Sequence, residues 1–459
     1  MKTIFLINPI SGRGHLDAYA RLYARAFVEL GHRVVLVADT DGDATDYLAR
    51  NAPSAARFFT FVSFDQAASL AGVDPARPME APPQVSPNPG GTAQAELARQ
   101  KVTSGILPQS LSRRTLRRQL GRIKRALGRR LLKTRLAAAL NVPFYFDVNR
   151  IKFHPMIECV DRIVSRTGQA APDLIFFLYL DLMAERPHSV AVLDRPQGSP
   201  WSGILFHPRL VREDGDLLEG YFKSRNARGG VFLVPSAIPA YAKATPHLHF
   251  ALAPDVADLE LPDETFEVAR NMRERAGNRM IVLQIGSITA HKGIPTLLDV
   301  IAAADPSRFF FALIGEVHWE SFGGHKSRIR SFYARPPENV FLSQGYIKSE
   351  RDYNDIVRAS DIIYAVYQGF GSSSNSLTKA AGLRRPILVS ENSLMGDRVR
   401  NCNIGSTAPE GDAAAILERL DWLVRQPREN FDFSGFADEH SLEALKRKLG
   451  DALPSWLAA

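Results

Sequence analysis

Apolar residues recur along this chain in two alternating patterns, and the alternation sets the fold class. Short apolar runs stand at Thr3–Ile7, Arg33–Ala38, Met280–Ile285, Arg308–Ile314, Asn339–Leu342, Asp361–Val366 and Pro386–Val389. Runs of this length without polar alternation read as strands covered on both faces, as in a parallel sheet. Pro172–Met183, Gly203–Phe206 and Gly230–Val234 are further buried strands by the same reading. Between the strands lie segments with helical spacing. Leu16, Tyr19, Leu22, Tyr23, Ala26, Phe27 and Leu30 share one face of a helix that ends at Gly31. Ile294–Ala304, Arg351–Ala359, Ser376–Gly382 and Leu417–Val424 read as helices too. Strand, loop, helix, strand is the βαβ unit, so the pattern predicts an α/β protein with parallel sheets. The series runs twice. Ala251–Asp258, where Pro and Asp end a strand, is the predicted crossover between the halves.

Two segments break the alternation. Pro75, Pro78, Pro82, Pro83, Pro87 and Pro89, with Gly90-Gly91, read as a loop or linker. A basic stretch with helical period follows. Its leucines and isoleucine, from Leu111 to Leu136, are surrounded by eleven Arg and Lys residues, and no acid lies between Lys101 and Asp147. Residues 111–136 therefore predict an amphipathic basic helix or helix pair. It either lies on an anionic membrane or packs its leucines on the domain with its arginines in water. Aromatic residues are absent between Lys101 and Asn141, which argues against stacking on single-stranded nucleic acid. No nucleic-acid partner is expected.

Composition narrows the class further. The chain has 459 residues, enough for two or more domains with their own cores. Hydrophobic and charged contents of 45% and 23% are ordinary for a globular enzyme. The net charge of +8 favours an acidic partner such as a phosphate or an anionic membrane face. No apolar run reaches the roughly 18 residues of a membrane span. The opening Met1–Pro9 is too short in apolar residues for a signal peptide. Cys159 and Cys402 have no metal-ligand spacing and do not predict a disulfide. His15, His154, His247, His249 and His291 form no metal-ligand pattern, so no metal site and no cofactor are expected. The cytoplasm is the expected compartment, with the inner face of the plasma membrane if the basic segment binds it.

In the second half, five stretches stand in a telling order. They are Gly286-Ser287-Ile288-Thr289-Ala290-His291-Lys292-Gly293, then Leu313-Ile314-Gly315, then Gly345-Tyr346-Ile347 followed by an acidic helix and Ala359-Ser360-Asp361. Gln368-Gly369-Phe370-Gly371 and Ala380–Leu388, ending in Pro386-Ile387-Leu388, complete the series. Together, over about 120 residues, this half resembles the donor domain of the retaining glycosyltransferases of family four. The resemblance implies a GT-B fold, two facing Rossmann-like domains with a cleft between them. It implies an acceptor-side domain over residues 1–250, with the basic insertion near 111–140. A donor domain follows over 251–440, and a last helix, Ser441–Trp456 within 441–459, returns to the first domain. The chain departs from the family at three positions. Ser287 stands where the family has Arg, Gln368 replaces the first Glu of its Glu-x7-Glu pair, and Lys379 holds the helix position of the second at longer spacing.

The resemblance implies transfer of a sugar from a nucleotide-sugar donor to a glycan, lipid-linked or protein acceptor, with retention and without a metal. The leaving diphosphate then needs a cation and backbone N–H groups at a helix N-terminus. Lys292 is the candidate cation. It precedes a helix, where the dipole disfavours a positive charge, and this placement suggests a negative ligand nearby. Gly371, Ser372, Ser373, Ser374, Asn375 and Ser376 lie between a strand and a helix. There small residues admit a phosphate and hydroxyls can bond it. Gly286, Ser287, Tyr346, Ile347 and Arg398 are further expected donor contacts, with Arg400 weighed beside Arg398. Gly12, Arg13 and Gly14 are expected on the acceptor side, at the carboxyl edge of the first sheet. Asp181, His207 and Arg209 lie just past apolar strands and are candidates to orient an acceptor hydroxyl.

Three other readings compete. Loss of the family's Arg and Glu positions fits a GT-B-fold protein that binds without transferring. Asn8-Pro9-Ile10-Ser11-Gly12 looks like the phosphate loop of lipid kinases, but the Gly-Gly-Asp-Gly-Thr loop those enzymes need is absent. Gly12-Arg13-Gly14-His15 lacks the third glycine of a dinucleotide fingerprint.

Overall fold

The computed structural model describes residues 1–11, 15–69, 153–167, 171–183, 189–194, 198–206, 208 and 220–458. The Pro-rich stretch and the basic segment 111–136 lie outside the described residues, as do Gly12, Arg13, Gly14, His207 and Arg209. Both sheets belong to one compact unit, Met1–Pro75 with Ile151–Ala459.

The first sheet contains β1 (Thr3–Ile7), β2 (Arg33–Ala38), β3 (Phe59–Ser63), β4 (Leu174–Phe177), β5 (Trp201–Leu205), β6 (Gly229–Phe232) and β7 (His249–Leu252). Their order is β3-β2-β1-β4-β5-β6-β7, and every pairing is parallel. Alternate side chains of a strand face opposite sides. Ile4 and Leu6 therefore pack against the helix His15–Glu29 and the C-terminal helix Leu442–Leu457. Phe5 and Ile7 join the other core, with the helix Phe153–Thr167. Trp456 is fully buried beside Phe176, with ring centroids 5.9 Å apart, and its indole N–H donates to the carbonyl of His249 at 3.2 Å. The last helix thus completes the core of the first sheet, although it follows the second sheet in sequence.

The second sheet contains β8 (Met280–Ile285), β9 (Phe309–Gly315), β10 (Val340–Gln344), β11 (Ile362–Ala365), β12 (Ile387–Ser390) and β13 (Gly405–Ala408). The order is β10-β9-β8-β11-β12-β13, again all parallel. Each sheet therefore reverses its strand order beside its first strand, between β1 and β4 and between β8 and β11. Open parallel sheets bind ligands at the carboxyl ends of the strands at such a switch point.

Several boundaries differ from the sequence expectation. Pro172–Met183 does not run as one strand. The chain leaves the sheet after Phe177, and Tyr179 adopts a left-handed φ of 61° and stacks on Phe206 at 4.7 Å. Edge strands β3 and β7 are only half covered, so they lack the continuous apolar signature. Among the described residues no helix is long and apolar enough to cross a membrane. No group of three His, Cys, Asp or Glu side chains there gathers as a metal site.

Candidate functional site

The loops after β8 and β11 border the switch point of the second sheet. Glycines let the loops on this edge approach closely. Gly315 has φ of 141°, and a Cβ there would lie 1.8 Å from the carbonyl oxygen of Gly286. Gly293 has φ of 72°, and its Cβ would lie 2.2 Å from the Val366 carbonyl oxygen. The Gln368 amide donates to the His291 carbonyl at 2.7 Å, tying the two switch-point loops together.

This backbone arrangement carries Lys292 onto Tyr367. The ammonium sits 3.7 Å from the ring centroid, a cation–π contact, and among the described residues it has no carboxylate partner. Tyr367 is buried, with its hydroxyl 3.3 Å from Ser376 Oγ and its carbonyl held by the Ser390 hydroxyl. Burial alone would raise the Tyr367 phenol. The Lys292 charge and hydrogen bonds from Lys292, Ser376 and Ser374 outweigh it and bring the pKa below its ordinary value. His291 is lowered by burial and then by Lys292.

Two polar atoms on the second loop are buried without a partner among the described residues, Gln368 Nε2 and Asn375 Oδ1. Such atoms are few in folded proteins and call for an explanation. The space beside Gly369 and Gly371 is open, because a Cβ at either would meet nothing within 4 Å. Ser374 caps the helix Asn375–Gly382, accepting from the Ser376 amide at 3.4 Å. The amino end of that helix thus opens beside Lys292 and Tyr367. Ser287 is exposed and Gly286 half-buried next to it. Tyr346 is 47% exposed and Ile347 half-buried, just past β10.

Ser373 and Arg398 are engaged differently. The Ser373 hydroxyl donates to Asp255, and Arg398 donates to Ser373 and, at 3.1 Å, to the carbonyl of Leu233. Arg398 also stands 3.6 Å from the Asp255 carboxylate. Asp255 is buried and receives the Tyr19 hydroxyl at 2.5 Å; its amide donates to His440 Nδ1 at 2.9 Å. Two of the expected donor contacts thus belong to a network that joins the second sheet's loops to the first half. Arg400 points elsewhere, to the Glu391 carbonyl and to Asp397.

The crossover continues the same theme. Asp258 pairs with Arg21 at 2.8 Å, both buried. Glu260 accepts from Asn51 and Arg50 of the first half and from Arg351 of the second. Lys379 stands on the helix Asn375–Gly382, where it was compared with the family's second Glu. Its ammonium is buried against Glu350 at 2.6 Å, Asn354 and the Asp258 carbonyl. Asp181 is buried at the carboxyl end of β4 and accepts from the Phe206 amide at 3.2 Å.

Sequence reasoning missed Tyr367, Asp255 and Glu350. Tyr367 directly precedes the Gln-Gly-Phe-Gly stretch, which is the one signal that marks it. Asp255 and Glu350 find their partners across more than a hundred and about thirty residues respectively, which periodicity does not reach.

No protein-family model and no curated protein matches this sequence. Solved structures do match over nearly its full length. A sucrose-phosphate synthase from Thermosynechococcus elongatus superposes with TM-score 0.55 at 16% identity, covering 99% of this chain and 98% of that one. Anabaena HepE, solved with UDP and glucose, gives 0.55 at 11% identity, with 99% and 100% covered. A glycosyltransferase from Rickettsia africae gives 0.54 at 12% identity, with 99% and 98% covered. At such identities the likeness extends to the fold, and with its two parallel sheets of seven and six strands this chain is an α/β protein of the GT-B fold.

Proposed function

We propose that this protein is a glycosyltransferase that moves a sugar from a nucleotide-sugar donor to a hydroxyl of a glycan, lipid-linked or protein acceptor. Lys292 carries the reading. It is a half-buried ammonium at a sheet switch point, resting on an aromatic face, with no carboxylate partner among the described residues. A diphosphate completes such a site. The buried, unpartnered Gln368 Nε2 and Asn375 Oδ1 and the open amino end of the helix Asn375–Gly382 offer it further contacts. HepE, whose fold this chain shares, was solved with a nucleotide and a sugar of the required class.

In the proposed reaction the bond from the sugar C1 to the leaving phosphate oxygen breaks, and the acceptor hydroxyl oxygen bonds C1 on the same face. The hydroxyl proton passes to the departing phosphate oxygen, so no protein base is needed and configuration is retained. Lys292 stabilises the charge that develops on the phosphate, without a metal. Gly286, Ser287, Gly371, Ser372 and Ser376 line the donor, and Tyr346 and Ile347 flank the base. Gly12, Arg13, Gly14, Asp181 and His207 are assigned to the acceptor. The basic segment 111–136 is assigned to an anionic membrane surface on its sequence, and liposome flotation with and without anionic lipid tests that.

Thermal-shift screening against UDP-, GDP-, dTDP- and CMP-sugars, followed by transfer assays, tests the whole reading. One donor is expected to stabilise the protein, with turnover that survives a chelator. Lys292→Ala is expected to lower kcat by about 100- to 1,000-fold. Donor binding without any turnover would favour a non-catalytic binding protein instead, for which the missing Glu at Gln368 is the supporting observation.

A further inference from the structure

The amino-terminal edge of the second sheet carries a charge arrangement that the switch-point chemistry does not use. Four arginines reach it from four elements. Arg273 comes from the last turn of the helix Glu267–Ala276 and Arg358 from the last turn of the helix Glu350–Ala359. Arg385 lies in the turn before β12, and Arg428 begins the short turn Arg428–Asn430. Two carboxylates meet them. Asp361, just before β11, accepts from Arg273 at 3.0 and 3.2 Å, from Arg428 at 3.2 Å and from the Ile281 amide at 2.9 Å. Asp355 accepts from Arg358 at 3.1 and 2.6 Å and from the Phe266 amide at 2.8 Å.

Arg385 has neither carboxylate. Its Nε and one Nη are buried and meet no acceptor among the described residues. The charges that act on it most strongly are three guanidiniums, of Arg428, Arg273 and Arg358, and the single carboxylate of Asp361. Burial first, and then these like charges, push its pKa down to about 10. Other arginines on this edge are accounted for by backbone carbonyls. Arg279 donates to Ala276 and Arg275, and Arg275 donates to Val340. Among the described residues no carbonyl serves Arg385 in that way.

We propose that Arg273, Arg358, Arg385 and Arg428 form a binding site for a phosphate group, either inorganic phosphate or a phosphomonoester. Guanidinium forks match a tetrahedral oxyanion in geometry as well as charge. Four guanidiniums against two carboxylates leave two positive charges, the complement of a phosphate dianion. The side chains of Arg273, Arg358 and Arg428 are 43%, 47% and 50% exposed, so nitrogens not turned to Asp361 or Asp355 remain open to a ligand. The strands run parallel, so this edge is opposite the carboxyl edge that carries Lys292. The site does not depend on glycosyl transfer.

Isothermal titration with potassium phosphate and with glycerol 3-phosphate, at ionic strength matched with potassium chloride, tests it. The wild-type protein is expected to bind at least one of the two at a single saturable site. Arg385→Met and Arg428→Met should each weaken that binding tenfold or more, and Lys292→Met should leave it unchanged. Which probe binds more tightly identifies the source of the phosphate. Heats no larger than those of chloride would overturn the proposal. So would binding lost in Lys292→Met but kept in Arg428→Met, because the phosphate would then occupy the switch-point crevice. Arg428 is half exposed, so its variant carries the test even if Arg385→Met fails to fold.

Discussion

Replacing Lys379 with methionine should destabilise the protein far more than its single charge suggests. The Lys379 side chain is 1% exposed and that of Glu350 is 7% exposed, with 2.6 Å between ammonium and carboxylate. The same ammonium donates to Asn354 and, at 3.2 Å, to the Asp258 carbonyl, and lies 4.9 Å from the Tyr353 ring centroid. Methionine keeps the length of the stem but leaves a buried carboxylate with no counter-charge. Removing one partner of a buried pair costs about 3–5 kcal/mol, because the remaining charge stays desolvated. The double variant Lys379→Met with Glu350→Gln no longer buries a bare charge, and should recover about 2–3 kcal/mol of that loss. Urea unfolding followed by tryptophan fluorescence measures Lys379→Met, Glu350→Gln and the double variant. The reasoning fails if Lys379→Met alone costs less than about 1 kcal/mol, or if the double variant loses the simple sum of the two single losses.

Gly315→Ala would drive a Cβ to 1.8 Å from the Gly286 carbonyl at a φ of 141°. A cost of about 3 kcal/mol is expected, read as a melting temperature lower by roughly 3–4 °C, because the entropy of unfolding grows with the size of the compact unit. Burial lowers His440 from 6.5 to about 4. The unfolded chain therefore binds its proton first, and the contribution is neutral above about pH 6.5 and destabilising as pH falls towards 4. On the order of 2–3 kcal/mol should be lost across that window. His440→Gln should flatten this part of the stability–pH curve, and an unchanged curve would exclude His440 as its source. Asp255→Asn removes the charge facing Arg398, and should cost about 2 kcal/mol and speed limited proteolysis in the crossover 253–265; equal cleavage rates would show that the network does not hold the halves together.

Much of the fold is legible in the sequence because parallel strands are covered on both faces. Thr3–Ile7, Arg33–Ala38 and Met280–Ile285 are continuous apolar runs, and the observed strands have the same bounds. Half-covered edges leave a weaker trace, so β3 escaped and only the end of β7, before Pro254, was read. The helices Phe153–Thr167 and Lys326–Ala334 were also missed, each lying among segments without a clear alternation. The turn at Tyr179 was invisible, because its left-handed backbone is held by stacking on Phe206 from another strand end. At the candidate site, Lys292 and the Gly/Ser loop were singled out from their place between a strand and a helix.

The sequence by itself determined the two α/β series, most of their buried strands, and the lysine and loop that follow the first and fourth strands of the second series. These are local consequences of side-chain period and of glycine and serine placement. Only the tertiary structure decided which polar groups remain open there and which are already occupied. Ser373 and Arg398 meet Asp255, Lys379 meets Glu350, and Tyr367 slides beneath Lys292. Each of these contacts is set by how buried apolar faces pack. A buried charge takes whichever partner that packing brings within hydrogen-bond reach, and no spacing along the chain encodes the choice.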